Sequence, residues 1–263
     1  MQIEVSDHII NYNFINKQLL DDGKPVLVYL HEGLGSISQW KDIPQKICDE
    51  VNLSGIVYDR IGYGLSSDRK HTLYADYLHD EAFIFLPELL NNLNVKNKVI
   101  LVGHSDGATI SLLFASFFPD KVIGVVSEAA HVIVEEITVN GIKNLKAEFY
   151  NSQAFMKGLK KHQGAKTEKL FTEWTDLWLT TEIKEWNIEN ELKNITSPVL
   201  VIQGVEDFFG SFKQLETIKN NTKSEVILHF LSDCKHVPHF EKEKEVRMLI
   251  KEFIETIKKT KTF

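Results

Sequence analysis

The chain has 263 residues, 43% of them hydrophobic, which is enough for one large α/β domain or two smaller ones with a substantial core. A net charge of -7 and the lack of any basic stripe argue against nucleic acid or an anionic membrane surface as a partner. Two cysteines cannot build a disulfide framework, and the sequence has neither a signal-peptide pattern nor a run of about 18 apolar residues, so we expect a cytoplasmic protein without a membrane span.

The chain begins with the pattern of a β-hairpin. Residues 2–5 and 9–14 alternate apolar and polar side chains, and a turn is predicted at 21–25. Buried apolar strands are then predicted at 26–30, 55–59, 99–102, 122–127, 198–204 and 225–231. The helices predicted between and after them span 40–51, 72–93 with a kink at Pro87, 108–118 and 243–259.

The segment 132–196 interrupts this alternation of strands and helices. It is rich in Lys, Glu and Asn, contains three tryptophans at helical spacing and has no buried strand. We predict a helical lid inserted after the sixth strand. Residues 1–131 and 197–263 would then form the core domain, and residues 132–196 the lid.

Apolar strands that alternate with helices predict a mostly parallel sheet of the α/β class, with helices on both faces. In such sheets the ligand site lies beyond the carboxyl ends of the strands. The polar residues that follow the predicted strands are His31, Glu32, Asp59, Arg60, Ser105, Asp106, Glu128, His131, Asp207 and His236. We expect the chemistry among these side chains.

The segment 103–107, Gly-His-Ser-Asp-Gly, joins a buried strand to a buried helix without a polar loop. This is the arrangement of a nucleophile elbow. The two glycines permit a turn so tight that a Cβ at either place would collide with the neighbouring strand or helix. Ser105 is therefore the candidate nucleophile, held above a helix N-terminus where N–H groups can stabilise an oxyanion.

A serine nucleophile needs a base, and the base needs an orienting carboxylate. Asp207 and Glu206 both follow the strand that ends at 204, and we favour Asp207 as the acid. His236 and His239 compete as the base, and His236 is favoured because it comes sooner after the last strand. The order serine, acid, histidine is typical of elbow-type hydrolases. The two histidines lack a third ligand cluster, so we expect no metal and no cofactor.

Two main-chain N–H groups are expected to form an oxyanion hole. One belongs to Asp106, the residue after the nucleophile, and the other to the glycine-rich loop 31–36. Gly33 is favoured in that loop because it has no Cβ to block a substrate carbonyl, and Leu34 is the alternative.

The motifs HEGLGS, YDRIGYGLSS, GHSDG, GVED and KHVPHFE resemble, in order and spacing, those of the α/β-hydrolase family of serine hydrolases. The similarity spans nearly the whole chain. The stretches HEGLGSISQW, GHSDGA, AAHVIVEEITVNGI, WTDLWL and PVLVIQG also resemble a bacterial subgroup known as predicted hydrolases or acyltransferases. The resemblance implies an eight-stranded α/β-hydrolase fold with a helical lid, with Ser105 as nucleophile, Asp207 as acid and His236 as base.

The sequence departs from the family pattern at two positions. The oxyanion loop of the family usually begins His-Gly, whereas Glu32 follows His31 in this chain. A carboxylate there would oppose a developing negative charge unless it is neutral, paired or turned away, and Arg60 is its candidate partner. Lys235 replaces the glycine that commonly precedes the catalytic histidine.

The substrate pocket is expected between the lid and the strand ends. Trp174 and Trp178 lie on one helix face, where they either pack the lid onto the core or line an acyl or aromatic pocket. The candidate pocket residues are Glu32, Leu34, His131, Trp174, Trp178 and Phe208. An apolar pocket would favour a substrate with an alkyl or aromatic group.

The leading hypothesis is a serine hydrolase that cleaves a small carboxylic ester through an acyl-enzyme on Ser105. The alternatives are a carbon–carbon bond hydrolase of diketone-type substrates and a non-hydrolytic acyltransferase or lyase with the same triad. A binding protein that retains only the fold is disfavoured by the intact serine, acid and histidine. The expected partner is a small-molecule acyl substrate, with no nucleic acid and no membrane, and the sequence is compatible with a homodimer.

Overall fold

The computed structural model describes residues 1–20 and 23–260, so Asp21 and Asp22 of the predicted turn at 21–25 lie outside the described residues. An eight-stranded sheet forms its centre. The strands are β1 (Gln2–Val5), β2 (His8–Ile15), β3 (Val26–Leu30), β4 (Ser54–Tyr58), β5 (Val99–His104), β6 (Val122–Glu128), β7 (Val199–Gly204) and β8 (Val226–Leu231). The predicted mostly parallel, eight-stranded sheet is confirmed.

The strand order is β1-β2-β4-β3-β5-β6-β7-β8. The hairpin β1–β2 is antiparallel and also pairs antiparallel with β4, whereas β4, β3, β5, β6, β7 and β8 run parallel to one another. Leu30 pairs with Gly103, and His104 pairs with Glu128. The carboxyl ends of β3, β5 and β6 therefore meet at one edge of the sheet, where the polar loops converge.

Helices cover both faces of the sheet. They are α1 (Ile43–Val51), α2 (Tyr77–Asp80), α3 (Leu86–Asn92), α4 (Asp106–Phe117), α5 (Glu136–Asn151), α6 (Gln153–Gln163), α7 (Thr167–Trp178), α8 (Glu189–Leu192), α9 (Phe212–Asn221), α10 (Pro238–Glu241) and α11 (Glu243–Thr260). Successive residues of β3 enter opposite cores: Val28 belongs to the cluster with Phe114 of α4, and Tyr29 to the cluster with Ile254 of α11. This alternation explains why the strand is apolar throughout.

The helix predicted at 72–93 is shorter and is interrupted. It begins at Tyr77, and a π-helical segment, Glu81–Phe85, separates α2 from α3. Pro87 lies at the start of α3. A proline has no N–H for an i→i−4 hydrogen bond and its ring clashes with the carbonyl one turn earlier, so the wider turn before it accommodates both effects.

The segment 132–196, called the insert here, connects β6 to β7. It contains α5, α6, α7 and α8, and Ile133 forms an isolated antiparallel bridge with Asn187. Phe149 of α5 stacks on Phe171 of α7 with ring centroids 3.8 Å apart. The role of the insert as a lid stays a prediction. Within residues 1–20 and 23–260, no helix is long and apolar enough to cross a membrane.

Candidate active site

Ser105 lies in a sharp turn between β5 and α4. Its φ is +53°, in a region that non-glycine residues rarely adopt, which costs about 1–3 kcal/mol. A Cβ on Gly103 would overlap the main chain of Gly107, and a Cβ on Gly107 would overlap the carbonyl of Leu30. The turn geometry expected for the segment 103–107 is therefore present, and Ser105 is only 3% exposed.

Ser105, His236 and Asp207 form a continuous hydrogen-bonded chain. Nε2 of His236 lies 3.0 Å from Oγ of Ser105, and Nδ1 lies 2.9 and 3.0 Å from the two carboxylate oxygens of Asp207. Because an ionised carboxylate only accepts, Nδ1 carries the hydrogen and Nε2 presents its lone pair to the serine hydroxyl. This tautomer is the one that a general base requires.

Asp207 is held as an ionised acceptor. The main-chain N–H of Phe209 donates to it at 2.8 Å, and Nε2 of Gln203 donates at 3.3 Å. Burial opposes ionisation of Asp207, but the neighbouring His236 and the Phe209 N–H outweigh it and lower the pKa of Asp207 below its ordinary value. Glu206, the alternative acid, is exposed at the surface.

His239, the alternative base, has a separate buried partner. Its Nδ1 lies 2.9 Å from Oε2 of Glu128, its main-chain N–H donates to the same oxygen at 3.2 Å, and its ring stacks on Trp40. Among the residues that the structure describes, no group of three or more His, Cys, Asp or Glu side chains is placed to hold a metal ion. His236, and not His239, is therefore the histidine that contacts Ser105.

The Glu32–Gly33 peptide of the loop after β3 is fixed by two donors. The main-chain N–H of Arg60 donates to Nε2 of His31 at 3.0 Å, so the hydrogen of this imidazole is on Nδ1, which donates to the Glu32 carbonyl at 2.8 Å. Burial and the Arg60 cation lower the pKa of His31 to about 3, which keeps the ring neutral. Nη2 of Arg60 donates to the same carbonyl at 2.8 Å. The N–H of Gly33 lies in the same peptide plane and points the opposite way, so its direction is fixed as well.

The Asp106 side chain connects the elbow to the insert. Its Oδ2 accepts hydrogen bonds from the Tyr77 hydroxyl at 2.7 Å and from Nε1 of Trp174 at 3.3 Å, and lies 3.4 Å from Nη2 of Arg60. The Trp174 indole also covers Gly33, where a Cβ would collide with it. The lack of a side chain at Gly33 therefore makes room for the Trp174 indole. This is separate from the oxyanion contact expected from the Gly33 N–H.

Glu32 is paired with His104 and not with Arg60, which corrects the partner predicted from the sequence. Oε2 of Glu32 lies 3.5 Å from Nδ1 of His104, and Oε1 accepts a hydrogen bond from Gln39 at 3.1 Å. Burial opposes ionisation of Glu32, but His104 outweighs it and lowers the pKa of Glu32 to about 2. Burial likewise opposes protonation of His104, and Glu32 and Glu128 outweigh it and raise the pKa of His104. The carboxylate beside the loop thus lies next to an imidazole whose protonated form it favours.

This pairing predicts a pH-dependent stability. A carboxyl whose folded pKa is depressed contributes stability above its unfolded pKa of about 4.5, and the contribution is lost as the pH falls towards 2. The pair also loses stability at high pH, because His104, whose pKa is raised in the folded protein, gives up its proton as the pH rises through that pKa. We expect wild type to be more stable than Glu32→Gln at pH near 6, with the difference in unfolding free energy shrinking by about 2 kcal/mol at pH near 3.

Urea unfolding at both pH values measures this change. The exposed Glu245 in α11 supplies the control, since Glu245→Gln removes a carboxylate at the surface. A difference between wild type and Glu32→Gln that does not change with pH would show that the Glu32–His104 pair is not ionic.

The remaining pocket candidates surround His236 unequally. The ring of His131 lies 6.1 Å from that of His236 and 5.3 Å from that of Trp178. Phe208 is 45% exposed, and it is Phe209 that packs edge-on against His236 with ring centroids 4.6 Å apart. The ring beside His236 is therefore that of Phe209, and a pocket role for Phe208 stays a prediction. Leu34 is half-buried and packs against the aromatic cluster of the insert.

A cavity of about 200 Å³ lies away from the triad. Tyr77, Leu73 and Glu81 help to line it, and Ser105 and His236 do not. Tyr77 and His104 were not among the residues predicted for the site, although Tyr77 donates to Asp106 and the His104 ring lies 5.2 Å from that of His236. Tyr77 was placed only within a predicted helix, and His104 occupies the variable position of the elbow motif, which gives no signal of its own.

A strained serine at the end of a parallel strand, hydrogen-bonded to a histidine that is bonded in turn to a buried carboxylate, is the arrangement typical of elbow-type α/β enzymes. Residues 25–160 match the family model described as alpha/beta hydrolase fold. The chain belongs to the alpha/beta hydrolase fold family and is an enzyme of that family.

Known proteins of several activities are similar to this chain. A proline iminopeptidase of Saccharolobus solfataricus is 22% identical over 268 residues, which is 88% of this chain and 85% of that protein. A thermophilic esterase from Thermogutta terrifontis superposes with a TM-score of 0.71 at 16% identity, covering 98% of both chains. The enol-lactonase from Burkholderia xenovorans LB400 gives a TM-score of 0.75 at 14% identity, covering 97% of this chain and 99% of that one. The structural likenesses establish the fold.

Proposed function

We propose that the protein is a serine hydrolase that cleaves a small carboxylic ester. The observation that carries this proposal is the hydrogen-bonded chain from Ser105 through His236 to Asp207, with all heavy-atom distances between 2.9 and 3.0 Å. Such distances allow proton transfer from the hydroxyl to the imidazole without rearrangement of the side chains.

In the first half of the reaction, Oγ of Ser105 attacks the ester carbonyl while Nε2 of His236 takes the hydroxyl proton. The N–H groups of Asp106 and Gly33 stabilise the oxyanion. The tetrahedral intermediate then expels the alcohol, which receives the proton from His236 and leaves an acyl group on Ser105. In the second half, His236 deprotonates a water molecule that attacks the acyl-enzyme, and the carboxylic acid and free serine are released.

The surroundings of the triad support an acyl group with an apolar part. Phe209 and Trp178 are buried aromatic residues on the His236 and His131 sides of the site, and Trp174 covers Gly33. Because Ser105 is almost fully buried, the proposed reaction includes movement of the insert as a lid before the substrate enters. We place the enzyme in the cytoplasm, since Cys48 and Cys234 are both buried and unpaired.

The proposal is tested with a fluorophosphonate probe and p-nitrophenyl acetate. We expect wild type to be labelled and to turn over the ester, and both activities to vanish in Ser105→Ala. Labelling without hydrolysis of any ester in a chain-length series would favour transfer, lyase or carbon–carbon chemistry. A wild-type protein that is not labelled would overturn the activated serine.

A second candidate activity is the release of an N-terminal proline. The similarity to the Saccharolobus solfataricus proline iminopeptidase favours it. Proline p-nitroanilide distinguishes the two candidates: hydrolysis of this amide with kcat/KM above that of every ester would favour the peptidase activity.

A further inference from the structure

His131 is a buried histidine beside the triad that the proposed mechanism does not use. Its side chain is 4% exposed, and its ring lies between those of His236 and Trp178. The main-chain N–H and carbonyl of His131 are both hydrogen-bonded to Thr109. Oγ1 of Thr109 donates to the carbonyl at 2.7 Å and accepts from the N–H at 3.1 Å. The imidazole therefore has a fixed place next to the reacting groups.

The tautomer of His131 follows from its one hydrogen-bond partner. Nε2 lies 3.2 Å from the carbonyl oxygen of Phe209, which can only accept, so Nε2 carries the hydrogen. Burial and the adjacent His236 lower the pKa of His131, which keeps the ring neutral. Nδ1 is then an acceptor with a free lone pair.

Nδ1 of His131 is also buried and has no partner among the described residues. A buried acceptor that is left unpaired destabilises a protein, and almost all such groups are satisfied in folded structures. The His131 ring lies 6.1 Å from the ring of His236, whose Nε2 is 3.0 Å from Oγ of Ser105, so the unpaired nitrogen belongs to a side chain next to the proposed acyl site.

We propose that His131 is a specificity-determining residue whose Nδ1 accepts a hydrogen bond from the substrate, so that the preferred acyl compounds carry a hydroxyl or N–H group close to the scissile carbonyl. This inference rests on the proposed function and narrows its substrate class. The donor on the substrate satisfies the buried nitrogen, while Trp178 and Phe209 contact the apolar part.

The test compares p-nitrophenyl butyrate with the p-nitrophenyl esters of 2- and 3-hydroxybutyrate. Each pair has the same leaving group and chain length and differs in one hydroxyl. With wild type we expect kcat/KM for the better hydroxy ester to exceed that for the plain ester by about tenfold, the usual effect of one neutral hydrogen bond. A wild-type ratio near one for both hydroxy esters would overturn the inference.

Two variants separate the acceptor from packing. In His131→Gln the amide N–H can still donate to the Phe209 carbonyl, but the Cγ methylene carries no acceptor at the place of Nδ1, so we expect the hydroxy preference to fall to about one. In His131→Asn an amide oxygen can take the place of Nδ1, and part of the preference should return. Undiminished preference in His131→Gln would contradict the role of Nδ1.

The proposed function is checked in the same samples. Fluorophosphonate labelling and hydrolysis of p-nitrophenyl butyrate show whether each variant is folded and has an active serine. If wild type fails both assays, the proposed function is wrong. If it passes both and shows no hydroxy preference, only the role of His131 is wrong.

Discussion

Asp207→Asn should lower kcat for ester hydrolysis by about 10³- to 10⁴-fold with little change in KM. The carboxamide can turn its NH₂ group towards Nδ1 of His236, which would then accept a hydrogen bond. The hydrogen of the imidazole would move to Nε2, so the lone pair facing Ser105 would be lost. Steady-state kinetics with p-nitrophenyl acetate and the rate of fluorophosphonate labelling measure the loss.

Glu206→Gln is the matched control for this variant. It removes the adjacent carboxylate, which is exposed and which the sequence offered as the alternative acid. We expect kcat of this control to stay within about twofold of wild type, since surface substitutions away from a site have small effects. Equal losses in the two variants, or a loss below about tenfold in Asp207→Asn, would contradict the assigned role of Asp207.

Gly107→Ala should have the largest effect on stability. The added methyl group would overlap the Leu30 carbonyl group and lie 2.7 Å from the His31 carbonyl oxygen, and both are main-chain atoms that cannot rotate away. Relief requires separation of α4 from β3 beneath the elbow. We expect a loss of more than about 4 kcal/mol in the free energy of unfolding, or failure to accumulate folded protein.

Gly158→Ala provides the contrast within the same chain. Gly158 lies inside α6, and a Cβ built there has no heavy atom within 4 Å outside its own helix and neighbours. Alanine is favoured over glycine in a helix interior, so this variant should gain about 0.5–1 kcal/mol. Urea unfolding of both variants gives the comparison. A Gly107→Ala protein as stable as wild type would show that the approach of α4 to β3 is looser than described.

The sequence predicted the strands well because the first two alternate apolar and polar side chains and each of the others is an apolar run closed by glycine or polar residues. The strands predicted at 2–5 and 26–30 have the bounds found for β1 and β3, and the others differ by one or two residues at an end. The partner of Glu32 could not be predicted in the same way, because it depends on strand order. β3 lies between β4 and β5, so the loop after β3 has Arg60 on one side and His104 on the other. The pairing of Leu30 with Gly103 brings Glu32 to His104.

The side chains around Ser105 and His236 could not all be predicted, for a similar reason. Phe208 and Phe209 are neighbours of the same type, and only the turn after β7 decides which ring faces His236. Tyr77 reaches Asp106 from a helix whose phase is changed by the π-helical segment before Pro87. A regular helical spacing gives no indication of such a change. Short-range motifs therefore predicted three residues that the structure brings together, and contacts between distant elements determined their neighbours.

The hydrogen bond from Trp174 to Asp106 has a consequence for measured affinities. The indole contacts the Asp106 carboxylate and covers the Cα of Gly33, the two residues whose N–H groups would bind the oxyanion, so in the proposed reaction we expect a substrate to compete with this side chain. For the proposed reaction, the apparent dissociation constant equals the intrinsic constant divided by the fraction of molecules in which the indole has moved away. A weak apparent affinity would then reflect the free energy needed to move the Trp174 indole away. It would not measure how well the open site fits its substrate.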